Sequence, residues 1–309
     1  MSFLAPGLHD RGLAYGDGLF ETLRLEAGRL RFWPEHLARL TWGCRALALP
    51  EPDAVALYAA IYAAVLESGR LDAVVKLIYT AGAGARGYLR SQTPSPSLTI
   101  LFSDLPETPM ASAPNGLVVG VLPDQSTGSL PTLRGLKHLN RLPQVLARAA
   151  WLADVDECLL CDAQGQLLGG TQSNLCWLEG NQWFTPPIAG MAIAGTVRGL
   201  LIRHFGVKVA PLAWGRLSLA RALVLTNAVR GVQPVARILW PKATASTIAE
   251  QHLVLAPAQT LAAGWQALCL ADHTAHAGDS AFKPADLMQT AWVSSLNQEG
   301  FLSMPIHNP

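Results

Sequence analysis

Charge is scarce in this chain. Only 15% of its 309 residues are Asp, Glu, Lys or Arg, and 23 basic against 22 acidic side chains leave a net charge of +1. No basic stripe or like-charge block occurs, which removes the electrostatic footprint of a partner for nucleic acid or for an anionic membrane surface. No apolar run reaches the roughly 18 residues of a membrane span, and the first residues lack the basic region and long apolar core of a secretion signal. Five cysteines are too few for a disulfide framework in a chain of this length, so a reducing compartment, the cytoplasm, is the expected location. The eight histidines show no H-E-x-x-H or comparable ligand spacing, and no metal site is expected. Small molecules are the expected partners.

Half of the residues are hydrophobic, enough for a sizeable core in one large or two ordinary domains. A turn-rich stretch, Asp10 to Gly18, precedes an alternating strand from Leu19 to Leu25. In that strand Glu21 and Leu23 share one face, while Phe20, Thr22 and Arg24 share the other. Pro34 to Leu49 reads as a helix with Leu37, Leu40, Cys44 and Leu47 on one stripe. Asp53 caps a second helix that buries Leu57, Ile61 and Val65 and ends at Gly69.

Val74–Thr80, Leu98–Ser103 and Leu117–Leu122 read as strands, and the Pro/Ser/Thr-rich piece from Leu105 to Pro114 as a domain junction. Farther on, Pro143–Leu152 and Thr196–Phe205 read as helices, the latter closed by Gly206. Glu157–Asp162, Asn174–Leu178, Val207–Leu212 and Leu223–Asn227 read as strands. From Ala271 to Pro309 no period is sustained, and this part reads as an appended tail.

Two motifs fail on context. Gly82-Ala83-Gly84-Ala85-Arg86-Gly87 spells G-x-G-x-x-G, but Pro94 and Pro96 follow where a dinucleotide site needs a helix. Cys158 and Cys161 spell C-x-x-C within an apolar strand, where residues three apart face opposite ways, so they read as buried structural thiols.

Only five lysines are present, so each can be weighed. Lys76 and Lys208 occupy alternating strand positions and read as polar-face residues. Lys242 lies in a polar turn and Lys283 in the tail. Lys137 differs, standing between Leu136 and the run His138-Leu139 just before a helix. Desolvation there disfavours the charged amine, which makes Lys137 a candidate for covalent attachment to a carbonyl group. An ordinary lysine with its head turned to water fits the same spacing.

Lys137-His138-Leu139-Asn140-Arg141-Leu142, followed by Gln144-Val145-Leu146, resembles the cofactor-lysine segment of the 4-amino-4-deoxychorismate lyases. These belong to the fold-type IV pyridoxal-phosphate enzymes, with the branched-chain and D-amino-acid aminotransferases. The match recurs in order from about Asp10 to about Leu270. It implies an α+β fold with a small N-terminal αβ lobe (1–110), a larger C-terminal pseudo-barrel lobe (111–270) and a tail (271–309). The site would lie between the lobes, with pyridoxal 5'-phosphate as cofactor, and the protein would be a homodimer.

The resemblance also assigns residues. Arg39, in His36-Leu37-Ala38-Arg39-Leu40, would anchor the cofactor phosphate, a role suited to a guanidinium fork. Gly195-Thr196-Val197-Arg198 at a helix start and Thr226-Asn227-Ala228 would be the other phosphate turns. Thr22, where the branched-chain type carries glycine, points to lyase chemistry, with Thr22 as proton donor or relay to the departing group. Arg24, Arg86, Asn140 and Arg141 would meet the substrate.

The activity implied is conversion of 4-amino-4-deoxychorismate to 4-aminobenzoate and pyruvate for folate synthesis. The family places a glutamate against the pyridine nitrogen, in a segment reading x-Glu-Gly-x-x-Ser-Asn. In Leu167-Leu168-Gly169-Gly170-Thr171-Gln172-Ser173-Asn174 the glutamate position is Gly169, which implies a poorer electron sink. Ala81 likewise stands where the family usually has arginine. Two alternatives stand beside this activity: an aminotransferase acting on a small amino acid, against which Gly169 argues, and a catalytically impaired relative, to which Gly169 points.

Overall fold

A computed structural model describes residues 7, 9–106, 115–122, 130–150, 154–241 and 248–275. Contacts divide them into two compact units. One comprises the described residues through Leu105, with Leu136–Asn140 and those from Ala271 on. The other comprises the described residues of 106–135 and Arg141–Leu270. Lys137 thus belongs with the N-terminal elements, although its number falls within the span expected for the larger lobe.

The first unit is built on a four-stranded antiparallel sheet, ordered β2-β1-β3-β4, from β1 (Gly18–Glu26), β2 (Arg29–Leu30), β3 (Ala73–Thr80) and β4 (Ser97–Ser103). A five-residue helix, α1 (Arg11–Tyr15), precedes it, inside the stretch read from sequence as turn. The Asp10 carboxylate caps α1 through the Gly12 N–H, and Gly16 closes it at φ 66°. Alternation in β1 sends Leu19, Leu23 and Leu25 into a core with Val75, Leu77, and residues of α2 (Trp33–Ala46) and α3 (Ala54–Ser68).

The stripe of Leu37, Leu40 and Cys44 on α2, and Leu57, Ile61 and Val65 on α3, packs in this core. Asp53 accepts from the Ala56 N–H at the start of α3, and Gly69 ends it at φ 64°. Helix α2 stops three residues before the expected Leu49. Ala48 adopts φ 49°, and Leu49 folds back to donate its N–H to the Cys44 carbonyl.

The second unit holds a nine-stranded curled sheet. Its order is β10-β9-β8-β11-β12-β5-β6-β7, with β13 paired to β12. The strands are β5 (Leu117–Leu122), β6 (Glu157–Cys161), β7 (Leu167–Gly170), β8 (Asn174–Glu179), β9 (Gln182–Thr185), β10 (Lys208–Val209), β11 (Ala222–Asn227), β12 (Gly231–Pro241) and β13 (Ile248–His252). The helices are α4 (Leu142–Ala149), α5 (Thr196–Phe205) and α6 (Leu255–Ala275).

Val119, Leu159, Cys161, Leu175, Trp177, Leu223 and Leu225 form much of its core. All five cysteines are buried thiols. Gly206 closes α5 at φ 63°. Three sequence expectations change. The strand over 207–212 contracts to β10, whose two residues pair in parallel with β9. Helix α4 ends at Ala149, with 151–153 outside the described residues. Helix α6 runs to Ala275, past the expected break at Ala271. Residues 107–114 of the expected junction and 276–309 of the tail lie outside the described residues. No helix among the described residues is long and apolar enough to cross a membrane.

Candidate active site

The lysine segment pairs with β1 through an isolated bridge. Phe20 donates its N–H to the Lys137 carbonyl at 2.9 Å, Leu139 donates to the Gly18 carbonyl at 3.0 Å, and Leu19 bridges to His138. This edge of β1 is open because β2 pairs only with Leu25 and Glu26. The Lys137 side chain is half-buried, with its ammonium nitrogen 4.2 Å from the centroid of the Phe20 ring.

Thr22 lies two residues along β1, on the Phe20 face. Directly opposite Thr22 on β3 is Lys76, whose nitrogen stands 5.2 Å from the same ring. The structure therefore gathers Phe20, Thr22, Lys76 and Lys137 on one face. Sequence reasoning had set Lys76 aside as an ordinary polar-face residue. Only the β1–β3 register reveals its company.

Behind that strand is a buried ionic cluster. Glu21 points to the α2 side, 1% exposed. Arg39 donates to it from Nε at 2.8 Å and from Nη2 at 2.5 Å, and His36 Nδ1 stands 2.7 Å from Glu21 Oε2. His36 and Arg39 are three apart on α2, so one helical face delivers both. Burial alone would push the Glu21 carboxyl up, but the Arg39 charge and the bonds from Arg39 and His36 outweigh it and hold it at about 2. Burial pushes His36 down, and the charges of Arg39 and Lys137 add to this against the pull of Glu21. A neutral imidazole facing a carboxylate carries its proton on Nδ1. Arg39, expected as a phosphate anchor, thus has two of its five donors committed to Glu21, a partner that the sequence did not indicate.

The expected substrate contacts are dispersed. Arg24 donates to Glu26 at 3.2 Å, and Arg31 pairs with the same carboxylate. Asn140 Nδ2 donates to the Gly16 carbonyl at 3.0 Å, and Arg141 Nη1 donates to the Met191 carbonyl at 3.2 Å. Arg86 is exposed on a loop gripped by Arg11, which donates to the carbonyls of Gly87 and Tyr88 at 3.0 and 2.8 Å and to Asp17 at 2.9 Å. Arg90 also pairs with Asp17. No helix follows Gly87.

In the second unit, Gly195 is the N-cap of α5 and offers no capping side chain to the first-turn N–H groups, an arrangement that suits an anion. A methyl group at 195 would overlap the Asn174 amide oxygen, so a larger residue here would require the Asn174 side chain to move. Asn227 Oδ1 accepts from the N–H groups of Val229 at 3.1 Å and Arg230 at 2.8 Å, so its side chain organises its own turn. The neighbouring Thr226 hydroxyl, 1% exposed, has no hydrogen-bond partner among the described residues.

Gly169 adopts φ 140°, and a Cβ there would stand 2.8 Å from the Ser173 carbonyl oxygen. The carboxylate nearby is Glu157, 3% exposed. It accepts from Thr171 N–H at 3.1 Å, Thr171 hydroxyl at 2.5 Å, Gln172 N–H at 3.3 Å and Ser173 hydroxyl at 3.2 Å, pinning the turn that follows Gly169. The sequence reading missed Glu157, since a lone glutamate opening an apolar strand carries no signal of what folds over it.

Comparison with known proteins gives this geometry its family. The profile of the amino-transferase class IV family matches residues 18–238. This chain belongs to that family. Among curated class IV relatives, aminodeoxychorismate lyase of Vibrio harveyi is 31% identical over 245 residues, covering 76% of this chain and 88% of the relative. The crystal structure of 4-amino-4-deoxychorismate lyase from Pseudomonas aeruginosa superposes with a TM-score of 0.75 at 34% identity, covering 87% of this chain and 96% of that one. A hypothetical aminotransferase from Mycobacterium tuberculosis, solved in its PLP-bound form, shares the fold with a TM-score of 0.71 at 21% identity, covering 87% and 94%. The architecture is fold-type IV, with a smaller sheet and a curled larger one.

Pyridoxal phosphate, the cofactor of this class, needs an amine for its aldehyde and an anion site for its phosphate. The described residues supply both kinds of group: Lys137 on the Phe20 face, and the uncapped α5 terminus with the orphaned Thr226 hydroxyl. They fit the group. Position 169, a glycine, contributes no acidic side chain.

Proposed function

We propose that this chain is a pyridoxal-phosphate-dependent lyase that converts 4-amino-4-deoxychorismate to 4-aminobenzoate and pyruvate, a step of folate synthesis. The observation that carries the reading is the Lys137 amine, fixed over Phe20 on the Thr22 face of β1, in a class IV chain that resembles two proteins named as this lyase.

Bound here, the cofactor supplies an aldehyde that captures an amine and a conjugated ring that withdraws electrons from the adjoining carbon. Lys137 would hold the aldehyde carbon covalently until the substrate amine replaces it. The released Lys137 amine would then take the ring hydrogen from the amine-bearing carbon. Thr22 would deliver or relay a proton to the departing enolpyruvyl oxygen, and the ring left behind is aromatic. The substrate divides into two products with no oxidant or co-substrate, so atoms and electrons balance. Arg39 and the turns at Gly195-Thr196-Val197 and Asn227-Ala228 would take the phosphate, while Arg24, Arg86, Asn140 and Arg141 would serve the substrate. Aromatisation supplies driving force that a transamination lacks, which suits a site with Gly169 in place of an acid.

The same reading makes the protein a cytoplasmic homodimer acting on a small molecule. Buried thiols at all five cysteines support the reducing compartment. Leu142, Val145 and Leu146, 65%, 59% and 58% exposed, form an apolar stripe on α4 that supports self-association.

The test is to incubate purified, cofactor-loaded protein with 4-amino-4-deoxychorismate beside Lys137→Ala. Equal amounts of pyruvate and 4-aminobenzoate from the wild type alone are expected. Absence of pyruvate, with a pyridoxamine form appearing when an amino donor is added, would overturn the lyase reading.

A further inference from the structure

We propose that Asp272 is a positioning residue, its carboxylate acting from the last turns of α6 as the cap that Phe32, at the start of α2, has no polar side chain to supply. Its effect on turnover rests on the lyase reading above, whereas its effect on α2 and on cofactor affinity does not.

Arg31 still donates its N–H to the Arg24 carbonyl at 2.9 Å, and Trp33 opens α2, so the chain leaves the small sheet and enters the helix at Phe32. Phe32 stands there in the left-handed region, at φ 50° and ψ 43°. A bulky residue holds that conformation only where its surroundings impose it. Asp272 accepts the Phe32 N–H at 3.1 Å, from 240 positions away in sequence. Both residues belong to the first unit, and Asp272 is half-buried. Its negative charge also lies where the α2 dipole favours one, at the N-terminus. The class IV profile ends at residue 238, so this carboxylate comes from a part of the chain that the family match leaves out.

The residues that α2 carries connect this cap to the site. His36 donates its N–H to the Phe32 carbonyl at 3.3 Å, so the set of Phe32 fixes the turn on which His36 lies, and Arg39 follows three residues on. The two side chains meet the Glu21 carboxylate at 2.7 Å from His36 and at 2.8 and 2.5 Å from Arg39. Glu21 is flanked on β1 by Phe20 and Thr22, on the face where the Lys137 amine stands over the Phe20 ring. Asp272 therefore acts on these groups through α2. Misplacing a reacting group by about 1 Å costs about 100-fold in rate, so a small shift of the helix is enough to be felt.

Asp272→Asn keeps an acceptor oxygen without the charge, Asp272→Ala removes both, and Asp272→Lys reverses the charge. Alanine and lysine are better helix formers than aspartate, so α6 itself is not weakened. In the full chain, well below each melting temperature, hydrogen exchange is to be followed in peptides from α2 and α3. The dissociation constant for pyridoxal phosphate, and kcat and KM for 4-amino-4-deoxychorismate, are measured beside it. Exchange in the first turns of α2 is expected to rise in the order wild type, Asp272→Asn, Asp272→Ala, Asp272→Lys, by about tenfold at Asp272→Ala, with α3 unchanged. Asp272→Ala should bind pyridoxal phosphate about threefold to tenfold more weakly and lose about tenfold in kcat at nearly constant KM. Asp272→Asn should recover part of each.

Equal α2 exchange in wild type and Asp272→Ala overturns the proposal. So does faster exchange with cofactor affinity and kcat both unchanged, which would make the contact a structural one only. Graded loss of α2 protection and of cofactor affinity, in a protein whose wild type releases no pyruvate from the substrate, would keep the positioning role and overturn the lyase reading instead. If Asp272→Ala or Asp272→Lys does not fold, the comparison of wild type with Asp272→Asn decides, and wild-type exchange, affinity and kcat in Asp272→Asn overturn the proposal.

Discussion

Glu21 holds Arg39 by two parallel N–H···O bonds, 2.8 and 2.5 Å long, at a position 1% exposed to solvent. His36 shares the same carboxylate. The arrangement ties α2 to the strand whose other face carries Phe20, Thr22 and the lysine segment, so one residue step along β1 links the ionic cluster to the amine.

Replacing Glu21 by Gln leaves a buried guanidinium without its counter-charge. The expected loss is about 3–5 kcal/mol of unfolding free energy, read from urea denaturation. A loss under about 1 kcal/mol would mean that the pair behaves as if solvated.

Acid should unfold this protein through the same cluster. The Glu21 carboxyl is depressed in the folded state from 4.5 to about 2, so its contribution is complete above about 4.5 and disappears as pH falls towards 2. His36 is depressed as well, so on acidification the unfolded chain takes up its proton first, and stability starts to fall below about 6.5. Both effects have the same sign. Unfolding free energy measured from pH 7 to pH 3 should decrease throughout, and Glu21→Gln should flatten the lower part of that curve.

Installing the acid that the family carries at 169 should not rescue anything by itself. Any L-residue there faces φ 140° and a Cβ 2.8 Å from the Ser173 carbonyl oxygen. Gly169→Glu and Gly169→Ala are both expected to lose about 1–3 kcal/mol in thermal or urea unfolding. An unchanged melting temperature for Gly169→Glu would show that the turn pinned by Glu157 can adapt.

Releasing Arg11 should free the 86–89 loop. Arg11→Ala removes the donors to Gly87, Tyr88 and Asp17, while the bulk of the core is untouched. Trypsin cleavage after Arg86 is expected to accelerate about tenfold or more under native conditions, because local opening governs nicking. Unchanged cleavage would mean that Arg90 on Asp17 and the Tyr15 hydroxyl, which accepts from the Gly87 N–H at 3.0 Å, suffice to hold the loop.

The amphipathic helices over α2, α3 and α5, their caps at Asp53, Gly69 and Gly206, and the alternation of β1 were legible because each depends on residues within a few positions of one another. So was the lysine, by its local setting and by resemblance. Strands β7, β9, β12 and β13 and the full length of α6 escaped because short or weakly patterned segments acquire their state from sheet neighbours and packing partners. Glu157 was invisible for a related reason: it is satisfied by groups brought near only on folding.

The sequence by itself determined which segments carry an apolar face, which residue types are available for carbonyl and phosphate chemistry, and that glycine stands at 169. Local hydrophobic periodicity and side-chain chemistry suffice for that. Only the tertiary structure decided that Arg39 belongs to Glu21 and His36, that Lys76 stands opposite Thr22, and that the lysine segment adds to the edge of β1. Strand register and helix placement are cooperative outcomes of burying the whole core, and no short stretch of sequence encodes them alone.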